Sequence, residues 1–368
     1  MISSDDLRLI VLRGAQFLGE RADEHLRLVR NTNDSFIVPI EQIRFSNGEG
    51  KIKIKDTVRG KDVYIINDVG NYDCTYTMFG RINYMGPDEH YQDIKRVISA
   101  TKGSARSLSV IMPLLYSSRQ HKRKNRESLD CALAMQDLSE LGVKRIITFD
   151  AHDPSIQNAI PTADFENIYP TDSVLSELIE NEKINREDIT NFLVVSPDTG
   201  AVDRARVYAD ILGTDVGMFY KRRDLTKLID GKNPIVAHEY LGKDVENKNI
   251  IVVDDMISSG ESMLEVAYEL KKRNAKNIYL VTTFALFTAG KESFDKAYLD
   301  GCITKVYSTN LTHVSEEILN TPWFRQVDCS GYLGELIDCL NKEESISPLL
   351  SSKEKTLQKI KEVQDRNF

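Results

Sequence analysis

The chain has 368 residues, 41% hydrophobic and 28% charged, with 48 basic against 56 acidic side chains and a formal net charge of −8. That length fits about two domains, and the apolar share is enough for buried cores, which excludes general disorder. No apolar run approaches the roughly 20 residues that span a bilayer, and the acidic balance argues against broad nucleic-acid binding.

The N-terminus, Met1-Ile2-Ser3-Ser4-Asp5-Asp6, has no basic segment followed by an apolar one, so a signal peptide is not expected. The five cysteines are scattered and none sits in a C-x-x-C pair, which argues against a disulfide framework or a cysteine zinc site. The expected location is cytoplasmic, with no membrane association.

In chain order, Lys61–Asn67 and Ser107–Pro113 read as short strands rich in β-branched residues. Glu127–Leu141 has helical spacing and leads into a strand at Lys144–Asp150. Asn191–Ser196 is a strand before a helical Ala201–Leu212, and Asp215–Tyr220 is another. Asn249–Asp255 is a strand before a helical Glu261–Arg273; Asn277–Phe284 and Ile303–Ser308 are strands. Continuously apolar strands separated by helices indicate parallel sheets covered on both faces. The expected fold is α/β: two tandem domains, each a mostly parallel sheet flanked by helices. The expected boundaries are 1–170 and 171–340, with a polar tail at 341–368 in which Ser352–Arg366 forms a charged helix.

Ile250–Met263 (IIVVDDMISSGESM) carries the most chemistry. A buried strand runs into Asp254 and Asp255, expected at its end, then a turn of small residues, then a helix. Turn amides and a helix N-terminus attract phosphate. Gly260 permits close backbone approach, the Ser258, Ser259 and Ser262 hydroxyls add donors, and Glu261 opens the helix. The carboxylates suit vicinal ribose hydroxyls or a hydrated divalent ion.

This segment resembles the phosphoribosyl-pyrophosphate motif of phosphoribosyltransferase-like proteins, Asp-Asp, two residues, then Asp-Thr-Gly-Gly-Thr. Other segments narrow the likeness to the ribose-phosphate pyrophosphokinase family. Phe45-Ser46-Asn47-Gly48-Glu49 is similar to Phe-Ser-Asp-Gly-Glu, and Tyr116-Ser117-Ser118-Arg119-Gln120-His121 to Tyr-x-x-Arg-Gln-Asp. Asp150-Ala151-His152 resembles Asp-Leu-His, Ser196-Pro197-Asp198 resembles Ser-Pro-Asp, and Lys221-Arg222-Arg223 matches Lys-Arg-Arg. Asn341–Ser347 resembles the family's C-terminal stretch. These matches run in family order from about residue 40 to residue 347.

The resemblance implies transfer of the β,γ-diphosphoryl group of MgATP to the anomeric hydroxyl of ribose 5-phosphate, giving phosphoribosyl pyrophosphate and AMP for nucleotide biosynthesis. It implies Lys221 and Arg223 as catalytic cations on a loop. Asn47, Glu49, Arg119, Gln120 and His152 would contact ATP, the first two across a subunit contact. Asp254, Asp255, Ser258, Ser259, Gly260, Glu261 and Ser262 would hold ribose 5-phosphate, and His152 and Asp198 would contact Mg²⁺. The implied assembly is a homo-oligomer built from dimers, with a hexamer as one form. The chain departs from the motif at Ser258 for Asp and Glu261 for Gly. That departure supports the alternative of a non-catalytic regulatory paralogue binding nucleotide or sugar phosphate. A phosphoribosyltransferase shares the Asp-Asp loop but lacks the Arg-Gln and Asp-x-His segments.

Overall fold

The computed structural model describes residues 6–123, 125–223 and 235–366, with the side chains of 221–223 and 235–238 left outside it. The chain divides into two compact units. The first holds the chain through Pro170 together with Asn310–His313 and Asp328–Leu350; the second holds Thr171–Thr309, Val314–Val327 and the chain from Ser351.

The first unit begins with β1 (Leu7–Val11), α1 (Gln16–Val29), a hairpin of β2 (Ile40–Arg44) and β3 (Gly50–Ile54), and β4 (Asp62–Ile66). A second hairpin, β5 (Thr75–Met78) and β6 (Arg81–Tyr84), precedes α2 (Pro87–Thr101) and β7 (Ser107–Ile111). Then come α3 (Asp130–Glu140), β8 (Arg145–Phe149) and β9 (Asp164–Ile168). The sheet order is β1-β4-β7-β8-β9, with every adjacent pair parallel. Central position explains the composition of β4: all five of its residues are buried, as a strand covered on both faces requires. Ile65, Val110 and Ile146 from the sheet meet Ile94 and Val97 of α2 and Met135 and Leu138 of α3 in one core.

The second unit has α4 (Thr171–Glu182), α5 (Arg186–Ile189), β10 (Phe192–Ser196), α6 (Val202–Leu212), β11 (Val216–Arg223), β12 (Ile235–Leu241) and β13 (Asn249–Ile257). It continues with α7 (Glu261–Lys272), β14 (Asn277–Ala285), α8 (Glu292–Leu299), β15 (Lys305–Thr309), α9 (Glu316–Leu319) and β16 (Phe324–Val327). Helix α10 (Ser330–Asn341) falls in the first unit and α11 (Ser352–Arg366) in the second. The sheet order is β12-β11-β10-β13-β14-β15-β16, parallel except where β11 meets β12. Its core gathers Val195, Val252 and Leu280 with Val266 and Leu270 of α7, Phe294 of α8 and Trp323.

Three differences from the sequence reading stand out. Strand β13 runs past the two carboxylates to Ile257, because Asp254 and Met256 still pair with Thr282 and Phe284 of β14. Strand β11 continues through Arg223, where the resemblance implied a loop carrying Lys221 and Arg223; antiparallel pairing with β12 (Lys221 opposite His238) carries it on. The polar tail is no simple appendage, since α11 packs on α4 and α6. Among the described residues no helix is long and apolar enough to cross a membrane.

Candidate functional site

The second unit's sheet contains the feature that locates a ligand. From β10 the chain steps outward to β11, then returns to the other side of β10 as β13. Open α/β sheets bind ligands at the carboxyl ends of strands where the order reverses in this way. Strands β10 and β13 are paired through Val195 and Val252. Just past those partners lie Asp198 after one strand, and Asp254, Asp255 and the Ser258–Ser262 loop on the other.

Gly260 shapes the loop in two ways. Its φ is +84°, a region closed to most side chains, and a Cβ there would fall 2.3 Å from Cε2 of the buried Phe294. Gly260 is also the N-cap of α7 and provides no side-chain cap. The first-turn amides of a helix have no intrahelical partner, so this terminus offers donors and the positive end of the helix dipole to an anion. The loop is anchored from below: Leu286 N donates to Ile257 O (2.8 Å) and Thr288 N to Ser258 O (2.9 Å). Glu261 is exposed at the first helical position, where a carboxylate is favoured by the dipole.

The acid pair is asymmetric. Asp255 is buried, whereas the Asp254 side chain keeps 22% of its surface. Burial, then the charge of Asp255, push the Asp254 carboxyl above the ordinary carboxylate range; Arg204 opposes them, its Nη1 3.9 Å from Asp254 Oδ1. A carboxyl poised in this way can accept from one hydroxyl and donate to another, as vicinal diols require. Arg204, on the first turn of α6, was not singled out from sequence. Its signal is a cation at the start of the helix that follows β10. Asp198 is exposed, and its Oδ1 accepts from Gly200 N (2.7 Å) and Ala201 N (3.2 Å), closing the turn into α6.

In the first unit, β7 and β8 are neighbours, so the loops after them meet. Arg119 and Gln120 lie exposed on the first loop and His152 exposed on the second. His121 joins the loops: its ring centroid is 5.4 Å from that of His152, its Nε2 is 3.1 Å from Asp153 Oδ2, and its Nδ1 is 2.9 Å from Ser118 O. Asp153 is held below its usual range, chiefly by the Ser155 hydroxyl and then by Ser155 N and the His121 and Lys122 charges. The His121–Asp153 link was not anticipated, because His121 stands where the resembled motif has Asp. Each loop contains a non-glycine residue in left-handed backbone, Ser117 (φ 52°) and Asp150 (φ 41°). Such strain collects at ligand sites.

Asn47 and Glu49 are exposed on a separate two-stranded sheet, at the turn joining β2 and β3. Gly48 N donates to Phe45 O and Phe45 N to Glu49 O, both 2.8 Å, and Asn47 Oδ1 accepts from Glu49 N at 3.1 Å. Lys221 and Arg223 lie on β11, and their side chains are outside the described residues.

Among the described residues no three His, Cys, Asp or Glu side chains converge as a metal cage. Mg²⁺ that arrives with a polyphosphate needs only one or two protein ligands beside phosphate oxygens and water. His152 and Asp198 are each exposed on a strand-end loop of their own unit.

Paired α/β units with an acid-preceded phosphate loop at a switch point define a protein of the phosphoribosyltransferase-like class. A family model described as the N-terminal domain of ribose phosphate pyrophosphokinase matches residues 8–142, and the phosphoribosyl transferase domain model matches residues 166–320. The ribose-phosphate pyrophosphokinase of Buchnera aphidicola subsp. Acyrthosiphon pisum (strain APS) is 31% identical over 83% of this chain and 89% of its own length. That of Pasteurella multocida (strain Pm70) is 30% identical over 94% and 99%. The crystal structure of phosphoribosylpyrophosphate synthetase from Mycobacterium smegmatis superposes with a TM-score of 0.74 at 20% identity, covering 92% of this chain and 99% of that one; at that identity the likeness bears on the fold. The chain belongs to the ribose-phosphate pyrophosphokinase family.

Proposed function

We infer that the chain is a ribose-phosphate diphosphokinase, which moves the β,γ-diphosphoryl group of MgATP onto ribose 5-phosphate and releases AMP. The observation that carries the reading is family membership across both units, at about 30% identity over nearly the whole chain. The phosphate loop supports the sugar-phosphate half of it.

In the proposed mechanism the amides and hydroxyls of Ser258–Ser262 hold the 5-phosphate. Asp254, set beside Asp255 and Arg204, holds ribose hydroxyls and fixes the anomeric oxygen. That oxygen forms a bond to the β-phosphorus of ATP. The bond from this phosphorus to the bridging α,β-oxygen breaks, the oxygen leaves with AMP, and the hydroxyl proton passes to solvent. Arg119 and Gln120 are proposed contacts to ATP, with His152 beside them. His152 and Asp198 are each proposed as a contact for Mg²⁺, which would supply neutralisation of polyphosphate charge. Lys221 and Arg223 are the proposed cations for charge developing on the transferring group. Catalysis of this kind is positioning and electrostatics, with no covalent intermediate; losing one such donor costs roughly 10²–10³ in rate. The proposed setting is a cytoplasmic homo-oligomer in which Asn47 and Glu49 reach the nucleotide of a neighbouring copy.

The test is incubation with MgATP and ribose 5-phosphate. AMP should form only when both are supplied, with no dependence on a nucleobase. No AMP over a range of divalent metals and phosphate concentrations would defeat the reading.

A further inference from the structure

The chain departs from the resembled motif at His121, where that motif has Asp, and the structure shows what faces the change. The imidazole is enclosed, with its side chain 8% exposed. Its Nδ1 lies 2.9 Å from Ser118 O on its own loop. Its Nε2 lies 3.1 Å from Asp153 Oδ2 on the loop after β8, out of line for a hydrogen bond. A carboxylate at 121 would instead face the carboxylate of Asp153, and like charges at such range repel. The ring thus spans two loops that strand order alone brings side by side.

Both ends of the span are anchored. On the first loop Gln120 N donates to Ser117 O (2.7 Å) and Ser118 N to Leu115 O (3.2 Å). On the second, Asp153 caps the helical turn at Pro154–Ala159, its Oδ1 accepting from Ser155 N (3.0 Å) and Ser155 Oγ (2.6 Å). Asp150 N donates to Ile168 O (2.8 Å) and Ala151 N to Asn167 Oδ1 (2.9 Å). His152 lies between these tethered neighbours, and its ring centroid is 5.4 Å from that of His121, with the planes at 60°. His152 is exposed, and burial does not fix where an exposed ring points. The enclosed His121 ring gives it a wall to lie against.

We propose that His121 is a positioning residue: it braces the two loops and holds the His152 imidazole in the orientation that meets ATP. This rests on the reading of His152 as an ATP contact and deepens it. A partner that orients a ligating histidine is worth roughly 10–100-fold in affinity or activity.

The experiment measures MgATP binding by calorimetry to the full-length protein and to His121→Ala, Asp153→Asn, His152→Ala and their pairwise combinations, with a thermal melt of each. His121→Ala should bind MgATP on the order of tenfold more weakly, and Asp153→Asn several-fold more weakly. The losses should not add: His121→Ala should cost less than about twofold further in the His152→Ala or the Asp153→Asn background. Unchanged affinity in His121→Ala overturns the proposal. So does a full tenfold loss on top of His152→Ala, which would show that His121 acts without His152. Should His121→Ala melt without a cooperative transition, Asp153→Asn, which keeps an acceptor for Ser155 N, decides alone, and unchanged affinity there overturns the proposal. A parent protein that binds no MgATP overturns it as well. A parent that binds MgATP in this pattern yet forms no AMP defeats the pyrophosphokinase reading and leaves the role of His121 standing.

Discussion

Asp68 is a carboxyl enclosed by protein just past β4, with 3% exposure. It accepts from Gly70 N (2.8 Å), His313 N (2.8 Å) and Thr312 Oγ1 (3.0 Å). Burial outweighs those donors and raises its pKa from 3.8 to about 6. A raised acid pKa means that the fold prefers the protonated form. Stability from this group is therefore gained as pH falls from about 6 towards 4, and it is lost on the way back up. A gap of about two units is worth about 3 kcal/mol. Urea unfolding at pH 7, 6 and 5 should show stability rising towards acid, and Asp68→Asn should flatten that slope. An identical slope in the variant would refute the assignment. The same residue shows what sequence reading misses. Asp68 draws two of its three donors from residues some 244 positions away, and no local pattern announces that. Asp254, Gly260 and the serines were legible because one short segment carries the whole strand–turn–helix geometry. Arg204 and the His121–Asp153 link were not, because each joins segments that only strand order brings together.

At the scale of elements, the inner strands of both sheets, β4, β7, β8, β10, β11, β13, β14 and β15, were readable from their apolar runs, since a strand buried on both faces leaves little room for polar residues, whereas the edge strands β1, β9, β12 and β16 were not anticipated. The hairpins β2–β3 and β5–β6 were less readable: their strands are only four or five residues long and partly exposed. Helix α11 was legible as a helix but not as a packed one. Its charges dominate the composition, while its buried stripe is only Thr356, Ile360 and Val363, at the spacing of one helical face. The charges also have partners within the second unit. Arg366 donates from Nη1 and Nη2 to both Glu180 oxygens (2.7 and 2.6 Å), and Lys359 Nζ lies 2.7 Å from Glu180 Oε2. Arg366, then Lys359, hold the partly exposed Glu180 carboxyl down to about 2. Exposed pairs of this kind orient a helix more than they stabilise it, so the stripe should decide the energetics. Ile360→Ala should lower stability by about 3 kcal/mol, read as a fall in urea midpoint. Leu357→Ala, half exposed on the same helix, should change it by less than about 0.5 kcal/mol. Equal effects would show that α11 is held by its charges.

At the scale of the molecule, the chain does not finish one unit before starting the next. The expected boundary lies after residue 170, yet Asn310–His313 and Asp328–Leu350 belong with the first unit. Their contribution there is substantial. Helix α10 packs on α1 so closely that a Cβ on Gly334 would come within 3.0 Å of Ala22 O. Arg30 donates to Asp338 Oδ1 (2.6 Å) and Asn341 Oδ1 (2.8 Å), and Asn341 Nδ2 donates to Asp62 Oδ2 (2.9 Å). The side chains of Arg30 and Asp338 are nearly buried, so deleting one partner strands a buried charge at a cost of roughly 3–5 kcal/mol. Asp68 would lose two of its three donors in the same cut. Set against the 5–15 kcal/mol that holds a typical domain together, these losses should suffice to unfold it. A fragment of residues 1–170 should therefore melt without a cooperative transition and give a poorly dispersed amide NMR spectrum. The full-length chain should unfold cooperatively. A sharp melt and a dispersed spectrum from the fragment would show that β1 to β9 suffice alone, and that the returning segments merely decorate a unit already complete.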